Sequence, residues 1–136
     1  MQKKIEQFSD YYNRLFPQPY NVKFHEKRLA RVVTFQVTDA CNCYQSKKGH
    51  HVMSFSIARK FVDYLLDADE SNTYINPTIS PAIILEFIGG EPLLEIDLID
   101  RIVDYFLDQA IRKHHPWAKA YMISMCSNGV LYFDPR

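Results

Sequence analysis

Phe87-Ile88-Gly89-Gly90-Glu91-Pro92 is the stretch on which the fold turns. It follows an apolar run, Ala82-Ile83-Ile84-Leu85, and precedes an acidic, strongly periodic segment that starts at Leu93. That order reads as strand, glycine turn, helix. Two adjacent glycines carry no Cβ, so the backbone there can turn sharply and come close to a ligand. Pro92 fixes φ and suits the turn or the first helical position. Glu91 therefore sits at the carboxyl end of a parallel strand, the end at which open α/β sheets and α/β barrels bind their ligands.

The chain on either side repeats the pattern. Arg31 to Thr38 is β-branched and reads as the first central strand, and Asp39 to Met53 as a loop holding Cys41 and Cys43. Ser54 is placed to cap a helix whose apolar stripe is Ala58, Phe61, Val62, Leu65 and Leu66. Asp67 to Ser80, with Asn72, Asn76 and Pro77, reads as loop. Pro81 opens the second strand; Ala82 to Ile88 is nearly all apolar, as in a strand buried on both faces. Glu86 interrupts it, on the face of Ile84 and Ile88, and there needs a partner if that face is an interior. Leu94 to His114 is a second helix with the stripe Leu98, Ile99, Ile102, Val103, Phe106, Ala110 and Ile111, acidic at its start and basic at its end. His114 and His115 cap that end. Ala120 to Cys126 is a third strand closing on Ser127-Asn128-Gly129, with Cys126 expected to be a buried thiol. The order β-α-β-α-β implies an α/β fold with about three parallel strands and two crossover helices.

Residues 1–31 form an N-terminal lead-in. Ile5, Phe8, Tyr12, Leu15 and Phe16 follow a helical period that Pro17 and Pro19 end, and Tyr20, Val22 and Phe24 alternate as in a short strand. Residues 32–136 form the core. A chain of 136 residues, 47% hydrophobic, is long enough for one packed domain. Sixteen basic and sixteen acidic residues balance, which gives no basis for nucleic-acid or polybasic membrane binding. No apolar run approaches the roughly 20 residues of a membrane helix, and Met1-Gln2-Lys3-Lys4-Ile5-Glu6 lacks a signal-peptide core, so the expected location is cytoplasmic. Three cysteines, two of them one residue apart, make no disulfide framework and point to metal or to no special role. Zinc on Cys41, Cys43, His50 and His51 matches no established ligand spacing. There is no Gly-x-Ser-x-Gly, His-Glu-x-x-His or P-loop.

A cysteine-bearing loop after the first strand and a Gly-Gly-Glu-Pro turn after the second resemble the radical S-adenosylmethionine (radical SAM) family. Thr38-Asp39-Ala40-Cys41-Asn42, Lys48-Gly49-His50-His51-Val52-Met53-Ser54 and Phe87 to Leu94 look most like its peptide-modifying maturases, and the resemblance runs from about Ala30 to Tyr132. It implies an incomplete (β/α)₆ partial barrel. It implies an enzyme that uses a 4Fe-4S cluster and S-adenosylmethionine to make a 5′-deoxyadenosyl radical that modifies a peptide. Cys41 and Cys43 would be cluster ligands. Gly89, Gly90, Glu91 and Pro92 would border the SAM amino group, and Ser127 and Asn128 would line the same pocket. The cofactors supply the chemistry, and no catalytic residue is singled out.

The chain departs from that pattern. The family spacing is C-x-x-x-C-x-x-C; here Cys41-Asn42-Cys43 lacks five positions and with them the middle cysteine. Cysteines one residue apart in extended chain lie only about 7 Å apart with no third ligand between them. Three strands also fall short of a six-stranded barrel, so an apolar, unpaired sheet edge is expected, open to self-association. The alternative function is therefore a catalytically inactive radical SAM-like fragment serving as a binding or assembly module, or a sequence that has lost a loop and a C-terminal part.

Overall fold

A computed structural model describes residues 30–42 and 49–133. The proposed lead-in helix and strand, and Cys43, lie outside the described residues. The first strand, β1, is Arg31–Thr38, followed by helix α1, Phe55–Leu66. The second strand, β2, is Ile83–Gly89; a 3-10 turn, Pro92–Glu95, leads into helix α2, Ile96–Arg112. A second 3-10 turn, Pro116–Ala118, precedes the third strand, β3, Tyr121–Met125. The sheet order is β1-β2-β3, and both pairings are parallel. The α/β reading with three parallel strands and two crossover helices therefore holds.

Alternation along the strands decides which face the helices cover. Val33, Phe35, Ile83, Leu85 and Phe87 point to one side and pack with Ala58, Val62 and Leu65 of α1 and Ile99, Ile102 and Phe106 of α2 in one buried cluster. Phe35 stacks on Phe87 with ring centroids 5.3 Å apart. Each such side chain contributes about 1.5–3 kcal/mol by leaving water. The opposite face is different. Ile84, Glu86 and Ile88 are only partly buried, and Val32 and Met122 are half exposed or more. The second strand is thus buried on one face, not on both, because both helices lie on the same side.

The end of β1 carries an irregularity. Gln36 pairs with Ile88 and Thr38 with Gly89, so Val37 has no opposite residue. A bulge of this kind turns two consecutive side chains inward, and Val37 and Thr38 are both buried. Ser54 caps α1 as expected, its hydroxyl accepting the Ile57 N–H at 3.3 Å. The two helices are joined across their faces by Tyr105 Oη donating to Asp63 Oδ1 at 2.7 Å and by an ion pair between Lys113 and Asp67. That hydrogen bond to Asp63 holds the Tyr105 phenol above its ordinary pKa. The loop between α1 and β2 is built on asparagines: Asn72 Oδ1 accepts from Tyr74 and Ile75 N–H, and Asn76 Oδ1 from Thr78 and Ile79 N–H.

Three expectations are corrected. The helical period after the glycine turn begins as a 3-10 turn, so α2 starts at Ile96, not Leu94, and ends at Arg112. Ile111, assigned to the buried stripe, is 61% exposed because the last turn of α2 runs past the sheet. Cys126 is exposed, not buried. It follows the last residue of β3, an edge strand on which Tyr121, Met122 and Ile123 are all substantially exposed.

The two histidines end α2 by different means. His114 has φ +49°. His115 N–H donates to Ala110 O at 2.8 Å and His114 N–H to Ile111 O at 3.0 Å, the paired bonds of a Schellman motif with histidine where glycine is usual. His115 is buried, and its Nδ1 accepts the Trp117 N–H at 3.2 Å. Nε2 then carries the proton of the neutral ring, buried with no hydrogen-bond partner. Trp117, fully buried, donates Nε1–H to Ser80 O at 2.7 Å.

His114→Gly should raise the unfolding free energy by about 1 kcal/mol, because a left-handed backbone strains any residue with a Cβ; urea denaturation will read this. Burial, and then the charge of Lys113, push the His115 pKa below its ordinary 6.5. The unfolded state therefore binds the proton more readily. The stability due to neutral His115 is full above pH 6.5 and is lost as the pH falls from there towards the folded-state pKa. Unfolding free energy measured against pH should decline over that window, and the decline should be shallower in His115→Gln.

Candidate functional site

The carboxyl ends of the three strands are knitted together at one place. Past the end of the β1–β2 pairing, Gly90 N–H donates to Thr38 O at 3.0 Å and Glu91 N–H to Ala40 O at 2.7 Å. Thr38 Oγ1 accepts the Ala40 N–H at 3.1 Å. The glycine turn therefore lies directly on the backbone that leads into Cys41. This contact, not an unusual φ, explains the glycines. A Cβ on Gly90 would stand 2.0 Å from Ala40 O, and one on Gly89 2.4 Å from Thr38 O. The sequence reading expected these glycines to approach a ligand; what they approach here is the neighbouring backbone.

Glu91 is fully buried. Its Oε1 accepts from Leu93 N–H at 3.1 Å and Ser127 Oγ–H at 2.8 Å, and its Oε2 accepts from Asn128 N–H at 2.8 Å. A buried carboxylate is stable only when donors replace its water, and these three come from the turn after β2 and the loop after β3. Ser127 Oγ also accepts the Gly129 N–H at 2.9 Å, and Asn128 Oδ1 the Val130 N–H at 3.0 Å. Asn128 Nδ2 reaches across to Asn42 Oδ1 at 2.7 Å, which joins the third loop to the first. Pro92 is buried at the start of the 3-10 turn.

The cysteine loop is closed at its neck. Asp39 N–H donates to His51 O at 2.9 Å and Met53 N–H to Val37 O at 2.8 Å, with an antiparallel bridge between Thr38 and Val52. Gln36 Nε2 donates to Asp39 Oδ1 at 2.7 Å. His50 and His51 are exposed on the returning arm. Cys41 is partly buried and disulfide-bonded. Its sulfur becomes a metal-binding thiolate only on reduction.

All the described sequence-predicted residues thus gather at one end: Cys41, Gly89, Gly90, Glu91, Pro92, Ser127 and Asn128. Cys43 lies outside the described residues. Among the described residues, no three His, Cys, Asp or Glu side chains converge as metal ligands. A four-iron cluster takes more thiolates than the described residues bring together here, where Cys41 is the one cysteine among those gathered. Sequence reasoning gave no role to Thr38, Ala40 and Asn42, which carry the contacts between the loops; Thr38, a β-branched residue ending β1, was the available signal. Glu91, expected from the resemblance to border the SAM amino group, binds three donors of its own chain. A separate cleft of about 530 Å³, lined by Ile111, His114, His115, Pro116, Ala118 and Lys119, lies before the start of β3, away from this site.

No protein-family model matches the chain. It is 38% identical over 78 residues to an uncharacterized protein of Methanocaldococcus jannaschii. The match covers 54% of this chain and 23% of that protein, so the chain spans less than a quarter of its relative's length. Among the described residues, no helix is long and apolar enough to cross a membrane.

Glu91→Gln should destabilise the fold by about 2 kcal/mol, since an amide nitrogen cannot accept and leaves a buried donor unsatisfied. Chemical denaturation will show it, and the loss should be larger than for Glu95→Gln, whose side chain is partly exposed.

Proposed function

We propose that the chain is the N-terminal part of a radical SAM core of the peptide-maturase type, with Cys41 and Cys43 as cluster ligands and the Gly89–Pro92 turn beside the SAM amino group. One observation carries this reading: the Glu91 N–H to Ala40 O bond, which seats the glycine turn one residue from Cys41. In such an enzyme the cluster and the SAM amino group must be neighbours, and these two loops are. The one-sided sheet is in keeping with the wall of an unfinished (β/α)₆ barrel, whose strands carry helices on the outside only. The bound cofactors would supply the radical chemistry. The chain's own residues would hold the loops in register: Glu91 by tying the turn to Ser127 and Asn128, and Thr38 by anchoring both the turn and Ala40.

A second reading has its own support. A non-catalytic relative acting as a binding or assembly module needs no third thiolate, and Cys41 is disulfide-bonded. Self-association would use the edge strand β3, where Tyr121, Met122 and Ile123 are exposed.

Anaerobic reduction and reconstitution with iron and sulfide, followed by low-temperature electron paramagnetic resonance, separates the two. The maturase reading expects a reduced four-iron signal that shifts when SAM is added and is lost in Cys41→Ser. A folded protein with no cluster signal overturns it and leaves the binding module.

A further inference from the structure

The face of the sheet turned away from the helices is a patterned surface. Strand register places its residues in rows. Val32, Ile84 and Met122 form an apolar row, and Thr34, Glu86 and Ser124 form the next row towards the carboxyl ends. Adjacent rows are two residues apart along each strand, roughly 6.6 Å. Val32 is 50% and Met122 60% exposed, so the apolar row is open.

Glu86 is the one acidic or basic side chain in these two rows. Its Oε2 accepts the Thr34 hydroxyl at 2.7 Å, which fixes the carboxylate on the face. Among the described residues the ion pairs are Arg112 with Asp108 and Lys113 with Asp67, so no cation answers Glu86. Above it, Gln36 holds Asp39, a second carboxylate, at 2.7 Å. Among the described residues the face is therefore apolar at Val32, Ile84 and Met122 and negative at Glu86 in the next row, with no lysine or arginine in either row. A partner that fits it has an aliphatic stem ending in a positive charge. Lysine and arginine side chains have that form, covering apolar surface with their methylenes while the head finds a counter-ion.

We propose that this face binds a peptide through a lysine or arginine side chain, with Glu86 as counter-ion and the Val32, Ile84 and Met122 row under the stem. That the partner is a peptide rests on the reading above; that it is cationic rests on the face itself. The test needs neither iron nor SAM. The full chain, labelled with nitrogen-15, is titrated at low ionic strength with acetyl-Leu-Lys-Leu-amide and with the same peptide carrying norleucine for lysine. The lysine peptide should bind about fivefold more tightly and shift the amide signals of Thr34, Glu86 and Ser124; added salt should narrow the gap. Glu86→Gln, which keeps the acceptor for Thr34, should erase the preference. Glu86→Lys should reverse it in favour of a glutamate peptide. Equal affinity for the two peptides, binding of neither, or a preference that survives Glu86→Gln overturns the proposal. Each of those outcomes leaves the cluster experiment to decide the maturase reading by itself.

Discussion

A carboxylate buried completely, and without a counter-ion among the described residues, sits where the three strands end. Isolated burial of such a charge costs far more than a fold of this size can absorb. Glu91 is tolerated because Leu93, Ser127 and Asn128 give it three hydrogen bonds. The dependence runs both ways. The loop after β3 has few apolar contacts to hold it, with Val130, Tyr132 and Phe133 all largely exposed, and it is fixed by what it donates to Glu91. Through Asn128 and Asn42 that order passes on to the cysteine loop.

Backbone contact completes the arrangement. Two main chains approach closely at Gly89 and Gly90, and each glycine is required by a carbonyl oxygen of the neighbouring segment. The bulge at Val37 serves the same junction. By adding one residue to β1 it turns Thr38 inward, where its carbonyl takes Gly90 and its hydroxyl takes Ala40. Apart from the Thr38 hydroxyl, strand, turn and loop meet there through main-chain groups, so side-chain identity matters there chiefly at Thr38 and where smallness lets the chains approach.

Much of this was legible in the sequence because period and punctuation are local signals. Ser54, the stripe of α1 and the apolar runs of β1 and β2 announce their elements within a few residues. What was not legible depends on distant partners. The bonds that Glu91 accepts from Ser127 and Asn128 have no local signal, because those donors lie 36 and 37 residues away. Glu86 and Ile84 read as doubly buried because an apolar strand looks the same whether one face or both are covered. Cys126 and Ile111 carry the composition of a core, but edge position and the end of a helix leave them exposed. The helix start shifted because Glu91 caps a tighter turn first, a matter of hydrogen-bond geometry that apolar spacing does not encode.

The origin of Glu91's donors also sets an order in time. During synthesis β1, α1 and β2 emerge before the loop that follows β3, and β1 pairs directly with β2. Glu91 then has only the adjacent Leu93 amide to meet it. Its other two donors, Ser127 and Asn128, belong to the loop after β3, so until that loop is made the carboxylate has to keep water in their place.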